Sequence, residues 1–175
     1  MRNTIALIAD GIDRITVAIG RIGMWCSLYV VVAEFAVVVL RYAFGFGSIR
    51  LQESVLYAHA GLFMLAAAWT LQIDGHVRVD IFYTHASPRA RAVVDLVGAV
   101  VFLLPFAVVL FALALPYVER SWSIFEGSPQ PSGLPLVYLL RTVILAFAAL
   151  IDLQGMAQAI RAALILSAPS RQQSH

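Results

Sequence analysis

Lysine is absent from this 175-residue chain, and all 12 of its basic residues are arginine. Charge of either sign is scarce. Only 13% of residues are charged, against about 25% in soluble domains. The mean hydropathy is +0.86. Together these values exclude an ordinary soluble domain and leave an integral membrane protein, of a length that defaults to one domain. The single cysteine, Cys26, sits in an apolar run. It excludes an internal disulfide and a thiol relay, and with them a membrane thiol oxidase. Of the histidines at 59, 76, 85 and 175, only His59 falls in a long apolar run, so no facing axial pair is offered for haem. There is no phosphate-binding glycine loop, no nucleophile with its base and no paired acid and base. The chain reads as a non-enzyme without cofactors. Its pI near 9.0 would suggest nucleic acid in a soluble protein. Here the arginines flank apolar runs, where membrane topology accounts for them.

What is present is apolar length. A helix crossing about 30 Å of hydrocarbon needs roughly 20 residues. Four stretches meet that need, at about 22–40, 54–73, 92–118 and 134–153, the last with an apolar tail to Leu166. The expected fold is all-α, with four transmembrane helices. The first stretch exceeds the usual length of a signal-peptide core and no small-x-small cleavage site follows it, so it reads as a retained span. Arg2, Arg14, Arg21, Arg78, Arg89, Arg91, Arg161 and Arg171 fall on one side of this topology. Arg41, Arg50, Arg120 and Arg141 fall on the other. The excess of arginine places both termini and the 74–91 loop in the cytoplasm and the other two loops in the periplasm of a Gram-negative bacterium.

Ahead of the first span, Ile5, Ile8, Ile12, Ile15, Ile19 and Ile22 recur in steps of three and four, with Asp10, Asp13, Arg14 and Arg21 on other faces. This predicts an amphipathic helix over 4–21. It either lies in the headgroup plane or packs on a partner protein. Gly11 and Gly20 weaken it locally. "EGSPQPSGLP" (126–135) is a turn whose three prolines keep the chain extended until the last helix. The polar tail at 167–175 is expected to be disordered. Pro105 removes a backbone hydrogen bond in the third span and predicts a kink there.

Polar residues in the spans are expensive and therefore informative. Glu34 lies about two-thirds along the first span, where a carboxylate at the bilayer centre costs about 2.5–3.5 kcal/mol. It is either an ion-coupling site, as in small four-helix antiporters, or a carboxyl facing a partner or the headgroups. Arg141 lies two turns into the last span and is expected to snorkel or to pair with Glu34 or Glu126. "DGHVRVD" (74–80) is a polar island with a His, an Arg and two Asp. A metal site wants three or four ligands with supporting geometry, and no second cluster completes one here. The segment reads instead as a cytoplasmic turn, with Gly75 ending the second helix and Arg78 obeying the positive-inside bias.

The order of several motifs carries a family resemblance. "RYAFG" (41–45) ends the first span and "LQESVLYAHAGLFMLAAAWTL" (51–71) forms the second. "DGHVRVDIFY" (74–83), "SPRARAVVDLVG" (87–98), "EGSPQPSGLP" (126–135) and "LQG" (153–155) follow. In this order, across about residues 22–160, the chain resembles the small membrane subunit of a tripartite ATP-independent periplasmic (TRAP) transporter. "DGHVRVD" and "GLP" look most like the branch labelled mannitol or chloroaromatic transport. The resemblance implies a scaffold in the bacterial inner membrane, with membrane lipids around it and no nucleic acid. Its implied partners are a large membrane transport subunit and a periplasmic substrate-binding protein, for ion-coupled uptake of organic acids or related solutes. It implies structural or partner-contact roles for Arg41 and Tyr42 at the end of the first helix and Glu53 at the start of the second. It implies the same for His76, Arg78 and Asp80 in the loop, for Glu126, Gly133, Leu134 and Pro135 in the turn, and for Arg141. The chain departs from the family pattern at Leu51 and Gln52, where many relatives have Trp and an acid, and at Glu34, where a neutral residue is expected. The alternatives are a small proton-coupled antiporter using Glu34 and a membrane-anchored redox subunit.

Overall fold

The computed structural model describes residues 2–76, 83 and 85–168. Its elements are α1 (Arg2–Phe44), α2 (Ile49–Gln72), α3 (Pro88–Val97), a π-helical segment (Gly98–Leu103), α4 (Leu104–Ser123) and α5 (Val137–Leu166). The α3, π and α4 segments are continuous, and the described residues hold four helices long and apolar enough to cross a membrane. Arg78 and Asp80, and the tail beyond residue 168, lie outside the described residues.

The amphipathic N-terminal segment is helical and joins the first span without a break. The resulting 43-residue rod is about 64 Å long at 1.5 Å per residue, roughly twice the hydrocarbon thickness. Its buried face is Ala9, Ile12, Thr16, Gly20, Gly23 and Ala33. The isoleucine stripe does not define that face: Ile12 is buried, while Ile5, Ile8, Ile15 and Ile22 are exposed. The reason lies in the solvent. Lipid is as apolar as isoleucine, so helices associate through close packing of small residues. A Cβ on Gly20 would stand 2.7 Å from Cβ of Trp69, and one on Gly23 would stand 3.2 Å from Cβ of Ala66. Gly20, expected only to weaken the helix, is therefore what admits the Trp69 side chain.

α5 touches every other helix. Its inner faces build two apolar clusters. One joins Ala68, Ala107, Leu150 and Ile151, with Ile19, Leu65, Leu103 and Phe147 packed around them. The other joins Ala9, Ile12 and Ala157 with Leu153 and Ile160, and so ties the start of α1 to the second half of α5. Large apolar side chains such as Trp25, Phe35, Phe63, Phe102 and Leu113 point outward, as suits a protein bathed in hydrocarbon.

The irregularity expected at Pro105 takes the form of the π segment just before it. Proline has no N–H, and its ring collides with the carbonyl four residues back. The carbonyl four residues back, that of Val101, lies within this widened turn. The widened turn meets α5 where that helix is thinnest: a Cβ on Gly155 would stand 2.9 Å from Leu103.

Two helix ends correct or extend the expectation. Gly75 does not occupy the left-handed position that ends α2. Asp74 does, at φ 56°. Its N–H bonds Leu71 O at 3.3 Å, and the Gly75 N–H closes on Thr70 O at 2.8 Å. This is the Schellman pattern with Asp in place of Gly, tolerated because a short polar side chain adopts the left-handed region more readily than most. α4 ends in the same pattern around Phe125, at φ 45°, with Phe125 N bonded to Trp122 O and Glu126 N to Ser121 O. A bulky residue is strained there, and the contacts its ring gains are described below.

Candidate functional site: two polar networks and a partly buried acid

Polar side chains concentrate at the two ends of the bundle. At the end away from the termini, Glu53 on the first turns of α2 faces the turn before α5. Its carboxylate accepts the Leu134 backbone N–H at 2.6 Å and the Ser128 hydroxyl. The turn closes on itself through Ser128 N to Leu134 O, 3.1 Å, and Gly133 N to Gln130 O, 3.0 Å. Gly133 has no substitute: a Cβ there would lie 2.2 Å from Ser128 Oγ and 2.7 Å from Glu53 Oε1. Arg50 adds a bond from Nε to Ser132 O at 3.3 Å. Glu53, Ser128, Gly133 and Leu134 are thus one assembly, in which a carboxylate on one helix holds the backbone leading into another.

Beside it, Arg141 pairs with Glu126 at 2.6 Å. Of the two partners considered for Arg141, the structure selects Glu126. The guanidinium also lies 4.0 Å from the centroid of the Tyr117 ring, a favourable cation–π placement. The strained Phe125 turns its ring into a cluster with Trp122 and Tyr138, at centroid distances of 6.4 and 5.7 Å. Trp122 donates from Nε1 to Thr142 Oγ1 at 2.8 Å. These contacts hold the backbone that aims Glu126 at Arg141. Pro135 packs its Cα against Gly127, 3.6 Å from where a Cβ would stand.

A second network ties the opposite end. Arg161 on α5 forms an ion pair with Asp13 on α1, adds a second bond from Nη1 to Asp13 Oδ1 at 3.2 Å, and reaches Asp10 at 3.3 Å. Gln154, fully buried, donates to Asp13 Oδ1 at 3.1 Å and accepts the Thr16 hydroxyl at 3.1 Å. Gln158 donates to Leu71 O at 3.2 Å. Sequence reasoning singled out none of these as site residues. Asp10 and Asp13 read as part of a polar helix face, and Arg161 as a topology marker. The signal was Thr16 and Gln154, the second read only as part of "LQG", each a polar residue on a face of small and aliphatic side chains.

The 74–91 loop is anchored where it re-enters the bundle. The Tyr83 hydroxyl donates to the Asp95 carboxylate at 2.9 Å, and Arg91 lies over the Tyr83 ring at 5.3 Å. His76 is exposed.

Other sequence-derived candidates are not gathered into a site. Arg41 and Tyr42 are exposed on the last turn of α1. Glu34 faces outward and, among the described residues, meets no hydrogen-bond or ion-pair partner. The α1–α2 register runs from Gly20 against Trp69 and Gly23 against Ala66 to Cys26 against Gly61 and Tyr29 bonded to Ser54 at 2.6 Å. Continued by a turn or so, it sets Glu34 near the level of Glu53. Asp152, in the middle of α5, also meets no hydrogen-bond or ion-pair partner among the described residues. Its Oδ1 is buried and meets no donor. No three His, Cys, Asp or Glu side chains among the described residues are grouped to hold a metal ion.

The family model described as "Tripartite ATP-independent periplasmic transporters, DctQ component" matches residues 30–164. No curated protein and no solved structure matches the chain.

Proposed function

Because the chain belongs to the DctQ family, the small membrane component of TRAP transporters, we propose that it is the scaffold that supports the large transport component of one such system. The family is a transporter component and not an enzyme. Its members work with a large TRAP subunit and a periplasmic binding protein. The observation that carries the proposal is the family match across four membrane-length helices. The internal polar networks agree with it, since each of their bonds ties one part of this chain to another, which suits a rigid support.

In this reading the protein lies in the bacterial inner membrane with both termini in the cytoplasm, as its arginine distribution favours. The 126–135 turn, held by Glu53 and by Glu126–Arg141, then faces the periplasm, where a binding protein docks. The loop that carries His76, Arg78 and Asp80 in the sequence is assigned to the cytoplasmic side, toward the large component. Organic acids or related solutes are the transported class. The resemblance of "DGHVRVD" and "GLP" favours the mannitol or chloroaromatic branch, a label that does not itself name a substrate.

The test is purification in detergent of the chain, tagged at its C-terminus, from its native host. Recovery of a polytopic protein identified by sequence as the large TRAP component supports the scaffold reading. Recovery of the chain alone as a homodimer, with transport by that homodimer in vesicles, overturns it and makes Glu34 the functional residue.

A further inference from the structure

Asp152 stands apart from the other acids on the inner helix faces. Asp13 has Arg161 and Gln154, Glu53 has Leu134 and Ser128, and Glu126 has Arg141. Asp152 has a buried oxygen without any donor. It also lies at the edge of an apolar groove of about 430 Å³ between α4 and α5, whose walls include Ala107, Val108, Phe111, Ala112 and Ala148. A carboxylate in apolar surroundings is unfavourable unless it is paired. Neither described arginine of its own helix is free to meet it, since Arg141 is engaged by Glu126 and Arg161 by Asp13.

We propose that this groove seats a transmembrane helix of the large TRAP component, and that a basic side chain of that helix meets the Asp152 carboxylate. Two independent features of the groove select such an occupant. Its alanines let a second backbone approach closely, which is how helices associate in lipid. Its one polar group is an acid, and charge complementarity asks for a cation brought by the visitor. A lipid acyl chain would fill the apolar volume and leave Asp152 unmet. The inference rests on the scaffold reading above and adds to it the place and the chemistry of the contact.

The test uses the chain co-expressed with its large component, with a photo-reactive phenylalanine analogue placed either at Phe111, in the groove, or at Phe35, on the exposed face of α1. The expected result is a covalent adduct with the large component from position 111 and none from position 35. In parallel, Asp152→Arg should reduce co-purification of the large component at least tenfold, and Asp152→Asn by a smaller factor. Both variants should keep the melting temperature of the isolated chain within a few degrees of wild type. If the two components co-purify but the adduct forms only from position 35, or if Asp152→Arg retains full co-purification while still folded, the proposed groove is wrong and the scaffold reading stands. If wild type recovers no large component, the scaffold reading fails and this inference with it.

Discussion

The two ends of the bundle differ in their central contact. At the end that carries the termini, side chain meets side chain: Asp13, Thr16, Gln154 and Arg161 join two long helices more than 130 residues apart in sequence. At the other end a side chain captures backbone: Glu53 takes the N–H of Leu134 and the hydroxyl of Ser128, and so shapes a turn. The first device locks helices that would otherwise slide on smooth alanine surfaces. The second fixes the form of an exposed loop, while separate side-chain bonds such as Trp122–Thr142 and Tyr29–Ser54 join the helices there. The difference teaches that polar residues at the two ends of one helical bundle can serve either register or surface shape. Which one they serve depends on whether the partner is a helix face or a free backbone segment.

Substitutions can break or sharpen that contrast. The largest effect is expected at Gln154, which is fully buried and satisfies both Asp13 and Thr16. Gln154→Leu leaves two polar groups short of a partner and should destabilise the protein by about 2–3 kcal/mol, measured by thermal unfolding in detergent. A shift no larger than that of an exposed α1 variant such as Val32→Ala would show that this network does not hold the helices.

Arg161→Ala comes next. The ion pair is partly exposed, with side-chain exposures of 39% for Arg161 and 20% for Asp13, so solvent screens it, and Asp13 keeps Gln154. A loss of about 1 kcal/mol is expected. It should shrink when wild type and variant are compared in about 1 M salt, where the screening length falls to roughly 3 Å. A salt-independent difference would assign the effect to packing of the arginine stem.

Arg141→Gln should cost no more than about 1 kcal/mol, because the Trp122–Tyr138 contact remains to hold the turn. Glu53→Ala should move the melting temperature least and the turn most. Limited proteolysis should cut within residues 126–135 in the variant and not in wild type. If Glu53→Ala instead melts the whole bundle, the two ends are not different devices and the contrast fails.

Much of the fold was legible in the sequence because membrane spans are written in long apolar runs, and the bilayer sets their length. The site was legible where polarity had only one use. Gly133 sits in a turn motif, and a Cβ there would collide with Ser128 and Glu53. Arg141 finds Glu126, one of its two foreseen partners. The isoleucine stripe of α1 predicted an amphipathic helix set in the headgroups or against a partner, and most of the stripe is exposed on this bundle; periodicity reports burial within the chain only when the alternative solvent is water. In lipid the informative stripe is the small one, from Ala9 through Thr16 and Gly20 to Gly23. Gly75 was assigned the left-handed cap on composition, and Asp74 takes it because its backbone completes the two closing bonds of α2.

The sequence by itself determined the solvent, the number of helices long enough to span it and the family. Each follows from composition or motif order, which need no knowledge of contacts. Only the tertiary structure decided which polar residues are satisfied within the chain. Asp13 and Asp152 are both acids on long helices, with nothing local to tell them apart. One lies opposite Arg161 and Gln154; the other lies beside alanines. Hydrogen bonding and ion pairing act over a few ångströms between residues far apart in the chain, so their outcome exists only once the helices have packed.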